Sequence, residues 1–146
     1  MSVDVTFRGV RGSTPCCSAD YNIYGGNTAC VELSFDGKIV ILDAGTGIRP
    51  LGNDLIRRKV PHADLLISHA HWDHISGFPF FRPLYRTDCE LDVYACPLSD
   101  GRSIEHALET QMSSPFFPLP MSKIPSSLHF HEIESGDSFS LCAGLT

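Results

Sequence analysis

The chain has 146 residues, 42% of them hydrophobic, with a formal net charge of −6. That length suits one domain with a sizeable core, and the 19% charged content excludes a disordered tail. The acidic balance argues against strong non-specific nucleic-acid binding, which rests on Lys and Arg neutralising phosphates. No apolar run approaches the roughly 18 residues of a membrane helix. The start Met1-Ser2-Val3-Asp4-Val5 has neither a basic region nor an apolar one of the secretory kind. With no C-x-x-C pair, the six cysteines read as reduced thiols, mostly small buried hydrophobes, and the expected setting is cytoplasmic.

In chain order, Val3, Val5 and Phe7 alternate with polar residues as a half-buried strand does. Residues 9–26 form a long Gly- and Ser-rich loop. Val31, Leu33 and Phe35 make a second period-2 face, and Asp36-Gly37 signals a two-residue hairpin. Ile39-Val40-Ile41-Leu42 reads as a strand covered on both faces. Ile48, Leu51, Leu55 and Ile56 recur at helical spacing, closed by Arg57, Arg58 and Lys59 and stopped by Pro61. Leu65-Leu66-Ile67 is a further buried strand. Ile75–Leu84 reads as a short helix containing Pro79, and Leu91–Ala95 as a strand. Ser103 caps a helix bearing Ile104, Ala107 and Leu108. A proline-rich irregular stretch over 113–125 follows. Leu128–Ile133, and Phe139 to the end, read as antiparallel strands. The order predicts an α/β (α+β) layer structure with helices packed on a sheet.

Three of the seven histidines fall within His69-Ala70-His71-Trp72-Asp73-His74, directly after the Leu65–Ile67 strand. Histidines at i and i+2 on extended backbone point to one side, so His69 and His71 can hold one metal ion. Asp73 and His74, past the turn, can reach a second. Imidazole with carboxylate suits zinc, with manganese or iron as alternatives. Trp72 is expected to pack. The bland alternative is a polar loop with incidental histidines. It is disfavoured because the loop follows a buried strand, where α/β sites gather.

With its H-x-H-x-D-H run after a Leu-Leu-Ile-Ser strand, the sequence resembles the metallo-β-lactamase superfamily. Tyr24–Cys30, Ile41–Gly47 and Gly77–Phe81 resemble its ribonuclease Z-like and cyclic-nucleotide phosphodiesterase-like branch. The resemblance implies the N-terminal half of a four-layer αββα sandwich, with residues 1–146 a single domain incomplete at its C-terminus. It implies two divalent ions, one held by His69 and His71, the other by Asp73 and His74. Asp43 would orient a ligand histidine from behind; as a plain residue it would instead form an Asx turn ahead of the glycines. Ser13, Thr14 and Asn27, on loops near such a site, are candidate substrate contacts, or simply turn residues. The aromatic-proline loop over 114–120 could be a lid, a partner patch or packing.

Family members complete the site with ligands from the second half. Here only His106, His129 and His131 follow His74. His106 is expected to face solvent from its helix. His129 and His131 lie about 6.6–6.8 Å apart along one strand face, which suits a solvated surface better than shared ligation. Four of seven family ligands are thus in place.

The expected function is hydrolysis by a metal-activated hydroxide, with Asp73 also moving a proton. The expected substrate is a phosphodiester, cyclic-nucleotide or RNA-like. The alternatives are an ester, thioester or lactam hydrolase on the same site, or an inactive fragment that associates with a partner chain. A half-sandwich would expose an apolar sheet face, so a homodimer is expected of it.

Overall fold

Strand pairing follows chain order throughout. The computed structural model describes residues 2–139 and 141. The described residues form six strands: β1 (Asp4–Gly9), β2 (Cys30–Phe35), β3 (Lys38–Leu42), β4 (His62–Ile67), β5 (Glu90–Ala95) and β6 (Ser127–Glu132). They lie in one sheet in the order β1-β2-β3-β4-β5-β6. The first two pairings are antiparallel and the last three parallel. The β2–β3 hairpin turns on Asp36 and Gly37 at φ 47° and 79°, the left-handed pair that matches strand twist.

Parallel neighbours need long crossovers. β3 and β4 are joined through α1 (Ile48–Arg58), and β5 and β6 through α3 (Ile104–Gln111). Ile48, Leu51 and Leu55 of α1, and Ile104 and Leu108 of α3, are buried in one core with Ile39, Ile41, Leu65, Ile67, Leu91 and Val93. Both helices therefore cover the same face of the sheet. Lys59 closes α1 in the left-handed conformation, at φ 56°. The Ser103 hydroxyl caps α3 by accepting the His106 N–H. These bounds agree with the hydrophobic periodicity, and the layer arrangement is the expected α/β one.

Four expectations are corrected. β6 is parallel to β5, because a crossover of some thirty residues, not a hairpin, links them. The rest of the antiparallel pair, from Phe139 onward, lies outside the described residues apart from Phe139 and Leu141, neither of which is in a strand. The expected helix over 75–84 is broken. A single turn, α2 (Trp72–Ile75), is followed by two 3₁₀ turns, Phe78–Phe80 and Arg82–Tyr85, each with a proline at its start; proline lacks the N–H a continuous helix needs. The apolar side of β1 faces outward: Val5 and Phe7 are 54% and 70% exposed. Finally, of the free cysteines among the described residues, Cys30 and Cys89 are buried, Cys16 is half-buried, and Cys17 and Cys96 are exposed.

The sheet's other face is apolar beside β2 and β3, where Phe35, Val40 and Leu141 are buried against Leu33, Leu42, Leu66, Tyr94 and Phe139. Across β4, β5 and β6 it also carries His62, Asp64, Asp92, His129 and His131 beside Leu66 and Tyr94. No helix among the described residues is long and apolar enough to cross a membrane.

Candidate metal centre

Because β3 and β4 run parallel, with Leu42 opposite Leu66, the loops that leave them start side by side. Asp43 leaves β3 at φ 63°. This left-handed conformation costs an ordinary L-residue roughly 1–2 kcal/mol, but Asp tolerates it. It turns the carboxylate toward the second loop. Asp43 Oδ1 accepts the Ser68 N–H and hydroxyl, both at 2.8 Å, and Oδ2 lies 2.8 Å from His74 Nδ1. Of the two readings for Asp43, the geometry gives the one in which it faces a histidine ring. With Nδ1–H donated to Asp43, His74 keeps Nε2 as a free acceptor.

The backbone fixes the two loops against each other. The Ala44 N–H donates to His74 O at 2.7 Å, and the Gly77 N–H donates to Ala44 O at 2.8 Å. Gly45 sits in this stitch. A Cβ there would stand 2.3 Å from Asp73 O and 2.5 Å from Thr28 Oγ1, so only glycine fits.

The four candidate ligands meet at this end of β4. The rings of His69 and His71 are 4.5 Å apart and those of His69 and His74 4.1 Å apart, while His74 Nε2 is 3.5 Å from Asp73 Oδ2. Ser68 Oγ, which the sequence did not single out, lies 3.0 Å from His69 Nδ1 and joins that ring to Asp43. Asp73 is reached from a third loop, where Ser13, at φ 67°, donates its backbone N–H to Asp73 Oδ2 at 2.9 Å. That bond holds the Asp73 carboxyl below the usual carboxylate range, with His74 and His69 adding to it, so it stays an anionic donor.

The donor chemistry fits divalent cations. Imidazole nitrogens and a carboxylate converge, and the far ring nitrogens of His69 and His74 already have oxygen partners. The four do not form a single tight cage. Among the described residues, the one group of three such side chains with donor atoms all within 4.8 Å of one another is His62, Asp64 and Asp92, on the sheet's other face.

The remaining candidates divide. Ser13 reaches the centre through its backbone. The Asn27 side chain accepts from Thr46 Oγ1 at 3.1 Å and belongs to a brace in which Thr28 and Thr46 bond each other's backbone N–H groups. Thr14 N–H bonds Gly12 O, a turn contact. Trp72, expected to pack, is 65% exposed beside the histidines. A cleft of about 370 Å³ opens next to His69 and His71, walled by Cys96–Asp100; that size suits a small ligand. His106 is exposed on α3, and His129 and His131 are exposed on β6, as the spacing implied. Phe117 of the aromatic-proline loop packs edge-on to Phe80, while Phe116 is 75% exposed.

Comparison with known proteins gives one consistent result. The family model described as a beta-lactamase superfamily domain matches residues 38–146. No curated protein matches. Among solved structures, a diphosphatase of the PhnP family is 18% identical over 91% of this chain and 51% of its own, with a TM-score of 0.57. Human tRNase Z, short form, is 19% identical over 88% of this chain and 44% of its own, at 0.54. The metallo-beta-lactamase fold protein YhfI from Bacillus subtilis is 17% identical over 90% and 47%, at 0.56. The chain thus spans about half the length of these structures.

Proposed function

Since the chain belongs to the metallo-β-lactamase superfamily, we propose that it supplies the His69–His74 half of a metal-dependent hydrolase centre acting on phosphodiesters. The observation that carries this is the convergence of His69, His71, Asp73 and His74 at the end of β4, with Asp43 locked onto His74. His69 and His71 would hold one divalent ion and Asp73 and His74 the other, zinc before manganese or iron. Bound there, such ions polarise a substrate oxygen and ready water for attack at neutral pH.

The chain's own groups have separable tasks. Asp43 fixes the His74 tautomer so that Nε2 faces the centre. The Ser13 N–H favours the ionised form of Asp73, which would also pass a proton toward a leaving oxygen. The Cys96–Asp100 wall bounds the space beside His69 and His71 in which a substrate would lie. Phosphodiesters are preferred to esters, thioesters or lactams because two of the similar structures are a diphosphatase and a tRNase Z. The five free thiols among the described residues support a reducing, cytoplasmic setting.

The test uses the natural full-length protein loaded with Zn²⁺ or Mn²⁺ and assayed on bis-p-nitrophenyl phosphate beside lactam and thioester substrates. Turnover of the phosphodiester is expected, and turnover of only the others would overturn the substrate assignment. Metal content of His69→Ala and Asp73→Ala should each fall in part; unchanged content in both would remove the ligand assignment.

A second reading, a catalytically silent chain that pairs with a copy of itself, is favoured by the exposed Val5 and Phe7 of β1 with Val3 just before it. Light scattering decides it, because a monomer at all concentrations removes it.

A further inference from the structure

On the sheet face opposite α1 and α3, the polar side chains come from three parallel strands in register. Asp64 of β4 stands directly opposite Asp92 of β5, with His129 of β6 next in the row, and Leu66, Tyr94 and His131 form the adjacent row. Two carboxylates opposite each other on neighbouring strands repel. Asp64 is only 3% exposed, and burial, with Asp92 adding to it, pushes its carboxyl above the usual range. His62, Asp64, Asp92 and His131 thus bring two carboxyl groups and two imidazoles together, donor types that a divalent cation takes.

We propose that His62, Asp64 and Asp92 form a second divalent-cation site, separate from the loop centre, that takes zinc-like ions. One ligand atom from each lies within 4.8 Å of the others, and two carboxylates with an imidazole suit such an ion, leaving a position for water. His62 Nε2 stands 2.8 Å from Asp92 Oδ2, and His131 Nε2 stands 2.5 Å from the other oxygen, Oδ1. His131 thereby turns Asp92 so that Oδ2 faces His62 and Asp64. The His131 ring is itself held by stacking on Tyr94, 4.6 Å away with planes 17° apart, and Tyr94 also hydrogen-bonds Asp64. These partners fix the donors before any ion arrives, as the outer partners of a metal site do. At the rim, His129 is taken up by Glu90 at 3.0 Å.

The site is distinct from the loop centre by position. Asp64 lies near the start of β4 on one face, and His69 follows the strand's far end. Five steps along the extended chain, at about 3.3 Å each, put the two positions roughly 16 Å apart, so no single ion touches both.

The discriminating experiment counts zinc and records the cobalt absorption spectrum. In a His69→Ala, Asp73→Ala background of the full chain, one equivalent of zinc and a cobalt d–d band are expected to remain. Adding Asp64→Asn or the half-exposed His62→Gln should abolish both, together with the zinc-induced rise in melting temperature. His131→Gln should weaken binding about 10–100-fold without abolishing it. Without metal, the far-UV circular dichroism of Asp64→Asn and His62→Gln should match that of their parent, which shows that both variants are folded. Loss of all zinc from the loop double variant overturns the second site while leaving the loop assignment intact. Zinc retained at full occupancy by both Asp64→Asn and His62→Gln overturns it as well.

Discussion

The Ser68 N–H, the Ser68 hydroxyl and His74 Nδ1 all meet at the Asp43 carboxylate, and the directions of these bonds predict an unusual mutant. Asp43→Asn can still accept from Ser68 through its amide oxygen. Its NH₂, however, would then face His74 Nδ1, and two donors cannot bond. His74 should therefore take the other tautomer, with Nε2 protonated and lost as a metal ligand. Asp43→Asn is thus expected to cost as much metal affinity as Asp43→Ala, about 10–100-fold, though it is nearly isosteric. Metal titration of the two variants side by side checks this; wild-type affinity in Asp43→Asn would show that the bond at 2.8 Å does not set the tautomer.

Within elements, alternation identifies which residues share a face but does not say which face is covered. On β2, Glu32 sits between Val31 and Leu33, where the pattern gives a polar residue to solvent. The structure buries it on the helix side, its side chain 3% exposed. There it receives Arg8 Nη2 and Arg58 Nη1, both at 2.5 Å, and Arg8 also reaches Asp54 at 2.6 Å. This network ties β1 and β2 to α1. Glu32→Ala would leave Arg8 without its main partner and should cost about 3–5 kcal/mol. Phe7→Ser, one strand away, should cost no more than about 0.5 kcal/mol because Phe7 is 70% exposed. Urea denaturation of both variants tests this reversal, in which the charged residue matters and the aromatic one does not.

At the level of the whole molecule, the metal centre and the fold should be thermodynamically linked, because the candidate ligands are gathered only when β3 and β4 pair and the Gly12–Ser13 loop closes on Asp73. An ion binding the folded chain alone stabilises it by about 2.7 kcal/mol at a hundredfold excess over the dissociation constant. Zinc should therefore raise the melting temperature, and a chelator should reverse the rise; no change with saturating zinc would show that these side chains do not bind it. The strands, α1 and α3 and the hairpin at Asp36-Gly37 were legible because each depends on residues near in sequence: apolar spacing, a capping serine, a pair of residues tolerant of positive φ. The His69–His74 loop was legible because its four donors are local too. By itself the sequence determined the family, the order of elements and that cluster of imidazoles and carboxylate. Only the tertiary structure decided that β6 runs parallel to β5, that Glu32 is buried and Phe7 is not, that Ser68 links Asp43 to two histidines, and that His62, Asp64 and Asp92 meet. Those facts depend on strand register and on which face the helices cover, and contacts between residues some thirty positions apart leave no trace in local spacing.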